Sequence, residues 1–218
     1  MNIRRIAATA LISIVALMGT ACSDLEGVEL PDIDIPTSSA PYEDSDPSQA
    51  TAGGCESGAD YDRDCFGDSW ADVDENGCDT RNDILARDLE NVELDSDGCT
   101  VLSGSLVSPY TGEAIDFTRG QETSGEVPVD HVVPLSWAWQ NGADDWSDEE
   151  REAFANDPEN LIAVDRSSNS SKRDSSPADW MPTNEAYSCE YANDFQDLTN
   201  DYDLDLSSED VRVIEAAC

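Results

Sequence analysis

His131 is the single histidine of this 218-residue chain, and Lys172 is its single lysine. Both fall between Val129 and Arg173, in the order Asp130-His131, then Asn160, then Asn169-Ser170-Ser171-Lys172-Arg173. A carboxylate next to a histidine at a strand end offers a hard oxygen ligand beside a base that titrates near neutrality. Asn169 would add a neutral oxygen ligand and leave positions open for water and phosphate. That combination suits metal-assisted hydrolysis of a phosphodiester. A lone histidine is more often structural than catalytic, so the Asp-His pair carries little without its company.

Local patterns give the elements that must position these residues. Thr80 to Asn91 carries Ile84, Leu85 and Leu89 at helical spacing, with Thr80 as the N-cap. Cys99 to Leu106 and Ala114 to Thr118 alternate around Pro109-Tyr110-Thr111-Gly112, a hairpin signal. Val127 to Pro134 is a short β-branched run, and Asn160 to Val164 a short buried strand. Ser147 to Glu150 opens a helix with a capping box, ending near Asp157-Pro158. Asn184 to Leu198 and Ser207 to Ala217 read as helices, the first with Tyr187, Tyr191, Phe195 and Leu198 on one face. The expected fold is α+β, with surrounding helices on a small antiparallel β-hairpin core.

VDHVVPLSWAW followed by DPENLIAVDRSSNSSKRDSSPADWMP resembles an HNH endonuclease of the ββα-metal group. With NGCDTRNDILARDL, TVLSGSLVSPYTGE and FTRG, it is similar to secreted bacterial proteins carrying a GmrSD restriction-endonuclease C-terminal-like domain, over about residues 65–195. The resemblance implies a β-hairpin and helix clasping one divalent metal, with Asp130 and Asn169 as ligands and His131 as general base. Asn160 matches a supporting position that pins the hairpin loop, and Lys172 a basic position able to meet a phosphate. The metal would stabilise charge on the phosphorane and the departing 3′-oxygen. Oxygen donors in place of histidine ligands favour Mg²⁺ or Mn²⁺ over zinc.

Positive charge for a nucleic-acid substrate would come from Arg166 and Arg173 within the motif and from Arg81, Arg87 and Arg119 in the other family-like blocks. The bland alternative pairs each with one of the many carboxylates, where such contacts contribute little. Asp72, Asp74, Asn76 and Asp83 partly follow a calcium-loop spacing, against the reading of a polar turn leading into the Thr80 helix. Trp137, Trp139, Trp146 and Trp180 are read as core packing rather than base stacking.

Arg4 and Arg5 precede an apolar run from Ile6 to Met18, so residues 1–21 read as a secretory signal too short to span a membrane comfortably. Gly19-Thr20-Ala21-Cys22 resembles a lipobox, which would lipidate Cys22 and anchor an exported protein to the outer face of the membrane. Ordinary cleavage and secretion is the alternative. Residues 22–54 follow as an acidic, proline-bearing tether and 55–218 as the folded domain. Setting Cys22 aside leaves six cysteines; neighbour pairing gives Cys55–Cys65, Cys78–Cys99 and Cys189–Cys218, among 15 connectivities.

With 49 Asp+Glu against 11 Lys+Arg, the net charge is −38. That argues against passive affinity for nucleic acid or anionic membrane, since like charges repel at long range. The motif points the other way, to an exported endonuclease of low sequence specificity acting on DNA, or on RNA as well. The alternative is a catalytically inactive or calcium-stabilised cell-surface binding lipoprotein of the same fold.

Overall fold

A computed structural model describes residues 55–218; the expected signal, the expected lipidation of Cys22 and the expected acidic tether lie outside the described residues. Thr80–Asp88 forms α1, capped by the Asp79 side chain, which accepts from the Asn82 amide. The cap is therefore one residue earlier than Thr80. The helix also stops short of Asn91. Leu89 is extended, and Glu90–Leu94 forms strand β1, with Asn91 at a φ of 54°.

Strand β1 pairs antiparallel with β2, Val101–Val107, through an irregular register, and β2 pairs with β3, Ala114–Thr118, with Leu106 opposite Ile115. The β2–β3 turn closes with the Gly112 amide donating to the Ser108 carbonyl at 2.7 Å. Gly112 has a φ of 76°, a conformation that a side chain would strain.

A second, two-stranded sheet pairs β4, Val129–His131, with β5, Leu161–Ala163, placing Asp130 opposite Ile162 and His131 opposite Leu161. Between these strands lie α2, Leu135–Gln140, and α3, Asp148–Ala155. Helix α3 begins in the expected capping box, Ser147 and Glu150 exchanging bonds. After β5 comes α4, Arg166–Lys172, capped by Asp165; α5, Glu185–Asp201, and α6, Ser208–Ala217, complete the fold.

Two apolar clusters flank the β4–β5 ribbon. Val129, Leu161 and Ala163 join Ile84, Leu85 and Phe117 on one side. Val132, Val133 and Val164 join Phe154, Tyr191 and Phe195 on the other. Trp137, Trp139, Trp146 and Trp180 belong to the second cluster: Trp137 packs edge-on to Phe195 at 5.1 Å, Trp146 to Phe154 at 5.2 Å, and Trp180 to Tyr110 at 4.9 Å. Their rings are occupied by packing, as their spacing suggested.

Three disulfides staple the domain, Cys55–Cys65, Cys78–Cys99 and Cys189–Cys218. The first closes a loop within residues 55–70, a segment that meets α3 where buried Arg151 donates to the Cys65 carbonyl at 2.9 Å; the Arg151 guanidinium lies 5.5 Å from the Trp139 ring. Among the described residues no helix is long and apolar enough to cross a membrane.

Candidate active site

The antiparallel pair β4–β5 followed by α4 brings Asp130, His131 and Lys172 together. Lys172, fully buried, places its ammonium 3.0 Å from Asp130 Oδ2 and donates to the His131 carbonyl at 2.7 Å. Burial pulls its pKa down, and the Asp130 carboxylate opposes that shift. A side chain read from sequence as a phosphate contact is thus enclosed. The correction has a plain cause: a buried ammonium needs a fixed anion, and Asp130 is that anion.

Asp130 is 7% exposed, and a second donor reaches the same oxygen, the Tyr110 hydroxyl at 2.8 Å. Burial first, and then the Asp130 charge, raise the Tyr110 pKa, which keeps the hydroxyl a donor. Oδ1 of Asp130 enters no hydrogen bond among the described residues.

His131 is half-buried, and its Nε2 lies 2.8 Å from the carbonyl oxygen of Ala155 at the end of α3. A carbonyl only accepts, so Nε2 must carry the proton and Nδ1 the lone pair. Burial dominates the pKa of the ring, lowering it to about 4 although the Ala155 bond opposes this. The imidazole is therefore neutral, with one free basic nitrogen, at pH 7. Trp70 lies nearly parallel to it, ring centroids 6.5 Å apart.

Asn160, wholly buried, closes the loop behind the histidine. Its Oδ1 accepts from the Val133 amide at 2.8 Å, its Nδ2 donates to the Val133 and Phe154 carbonyls, and its own carbonyl accepts from the Val132 amide. Asn169 lies three residues before Lys172, on the same face of α4, half-buried and with no side-chain hydrogen bond among the described residues. Asp165 anchors the start of α4 by accepting from the Ser168 amide at 2.8 Å and from Ser108 Oγ at 2.8 Å.

Among the described residues, no three His, Cys, Asp or Glu side chains gather as a metal cluster. Two oxygen donors of this stretch make no hydrogen bond among the described residues, Oδ1 of Asp130 and the side-chain amide oxygen of Asn169. Hard oxygen donors of this kind fit Mg²⁺ or Mn²⁺.

The expected calcium loop is different. The Asn76 side-chain amide donates to both Asp74 and Asp83, and the backbone amides of Asn76 and Gly77 bind Asp72. An amide nitrogen sits among the carboxylates where a cation would have to be. These residues form a polar turn leading into α1.

The arginines divide. Arg87 donates to the carbonyls of Pro158 and Leu161, each at 2.6 Å, and to Asp88, so it staples α1 to β5. Arg81 reaches the Ser124 and Val127 carbonyls, and Arg119 the Val101 carbonyl and Asn82; both hold loops. Arg166 is exposed and pairs with Glu126 at 3.0 Å. Arg173 is exposed, directly after α4, at a φ of 54°. A cavity of about 600 Å³ is lined by Val132 and Leu161 with Arg87, Glu190, Asp194 and Asp197, but by none of the proposed catalytic or metal-binding residues. Its carboxylates would repel a phosphate.

Sequence reasoning missed Tyr110, read as one residue of a turn, and Asp165, which is an ordinary N-cap in sequence. Each acts through a contact with a distant element that no local pattern encodes.

A paired β-ribbon followed by a helix, with Asp-His on the ribbon and asparagine on the helix, defines an HNH-type domain. The family model described as GmrSD restriction endonucleases, C-terminal domain, matches residues 79–210, and the chain belongs to that family. It is also similar to an uncharacterized secreted protein of Arthroderma benhamiae, 39% identical over 150 residues that span 68% of this chain and 69% of that protein. No solved structure matches.

Proposed function

We propose that the protein is an exported, metal-dependent HNH endonuclease that hydrolyses DNA, or RNA as well, with little sequence specificity. The observation that carries this reading is the neutral His131, tied through Nε2 to Ala155, beside an Asp130 carboxylate with one oxygen unbonded. His131 Nδ1 takes a proton from water, which attacks the phosphorus in line as the P–O3′ bond breaks and the departing 3′-oxygen is protonated by solvent water, leaving 3′-hydroxyl and 5′-phosphate ends. A divalent ion held by Asp130 and Asn169, Mg²⁺ or Mn²⁺, supplies charge stabilisation at the phosphate. Asn160 holds the loop that carries the histidine, and Arg166 and Arg173 at the two ends of α4 contact the substrate backbone.

The layout that goes with this is a signal over 1–21, a tether over 22–54 lipidated at Cys22, and a nuclease domain over 55–218. The relative described as secreted supports export. Plasmid digestion by the purified protein with Mg²⁺ or Mn²⁺ tests the function. Cleavage abolished by His131→Ala and by chelation is the expected result; cleavage indifferent to both sinks the mechanism.

A further inference from the structure

The β2–β3 turn contributes none of the proposed catalytic or metal-binding residues, yet it touches both elements that carry the proposed ligands. Tyr110 donates to Asp130 Oδ2 on β4 at 2.8 Å. Two residues earlier, Ser108 Oγ donates to Asp165 Oδ2 at 2.8 Å, at the N-cap of α4, and the Asp165 amide donates back to Ser108 Oγ at 3.2 Å. Ser108 and Tyr110 are fully buried.

The turn is itself held rigid. The Asn184 amide donates to the Tyr110 carbonyl at 3.0 Å and its side chain to the Pro109 carbonyl at 2.9 Å. Edge-to-face contacts with Trp180 at 4.9 Å and Tyr191 at 5.7 Å fix the Tyr110 ring, so its hydroxyl has one direction available. Tyr110 and Lys172 both bind Oδ2, and this rotates Oδ1 to the unbonded position.

We infer that the Ser108–Gly112 turn is a positioning element for the metal site. Tyr110 sets the rotation of the Asp130 carboxylate, and Ser108 sets the helix that carries Asn169. One turn thereby indexes two ligands that lie on separate elements. This rests on the reading of Asp130 and Asn169 as metal ligands. Neither Tyr110 nor Ser108 touches substrate in this arrangement; both act through the residues they hold.

The test measures Mn²⁺ binding to the purified full chain by calorimetry for wild type, Tyr110→Phe, Ser108→Ala and Asp130→Asn, beside plasmid cleavage and melting. Tyr110→Phe, which removes one hydrogen bond to Asp130, and Ser108→Ala, which removes the two exchanged with Asp165, are each expected to weaken Mn²⁺ binding at least about fivefold. They should lower kcat without raising KM for DNA, each measured well below the variant's own melting temperature, since both substitutions leave a buried partner unpaired. If Tyr110→Phe fails to fold, Ser108→Ala, which removes a single oxygen, decides the matter. Mn²⁺ affinity unchanged in the turn variants but lost in Asp130→Asn overturns the inference and leaves the nuclease reading standing. Weakened affinity in a protein that cuts no nucleic acid supports the turn and overturns the nuclease reading instead. Mn²⁺ binding indifferent to Asp130→Asn overturns both.

Discussion

Lys172 and Asp130 form a buried ion pair, Nζ to Oδ2 at 3.0 Å, in which one partner comes from α4 and the other from β4. Removing one member of such a pair strands the other without a counter-charge. Lys172→Met should therefore destabilise the domain by about 3–5 kcal/mol. Urea denaturation checks this; a loss below about 1 kcal/mol would show that the pair is solvated in solution, as surface pairs are.

His131 gives a pH prediction of defined sign. Its folded pKa, about 4, lies below the ordinary value of 6.5. Above pH 6.5 the ring is neutral in both states and its contribution to stability is complete. As pH falls from 6.5 towards 4 the unfolded chain takes up the proton first, and that stability drains away. His131→Asn should flatten this slope between pH 7 and pH 4.5. For catalysis the same value keeps the base available, so cleavage should hold down to pH 5 and fail near pH 4.

Asp165 titrates in a lower window. Burial would raise its pKa, but bonds from Ser167, Ser168 and Ser108 outweigh it and hold the carboxyl at about 2. Its stabilising contribution is present above the ordinary carboxylate value near 3.8 and is lost as pH falls towards 2. Asp165→Ala should cost about 1–2 kcal/mol through loss of the N-cap alone. Thermal melts at pH 7 measure it, and a change confined within a few tenths would mean that Asp165 does not hold α4.

Charge gives an unusual salt prediction. A net −38 opposes the approach of a polyanion, and ions screen that repulsion over about 8 Å at physiological salt and about 3 Å at 1 M. Cleavage should rise with NaCl over a broad range before it declines. A steep fall from the lowest salt upward would identify an ordinary basic binding surface and contradict this.

Much of the fold was legible because its signals are local. The capping box at Ser147 and the β2–β3 hairpin depend on residues a few positions apart, and neighbour pairing of the cysteines matched all three disulfides. Strand β1 was not legible. Glu90-Asn91-Val92-Glu93-Leu94 continues the acidic, helix-compatible run of α1, and pairing with β2 makes it a strand. The Asp72 turn is ambiguous in sequence because side chains that cap backbone amides share their spacing with calcium ligands. At the site, residue types near His131 were readable, but the burial of Lys172 and the contacts of Tyr110 arise from packing between elements.

Each disulfide joins two cysteines that are consecutive along the folded domain: 55 with 65, 78 with 99, 189 with 218. A chain threading from its amino end into an oxidising space would meet every cysteine's correct partner before any later, competing thiol emerged. Bonds can then close one after another during passage, and an isomerase has little to reshuffle. Fully reduced and denatured protein loses that temporal order, so refolding from a tube should scatter among mispaired species that vectorial emergence avoids.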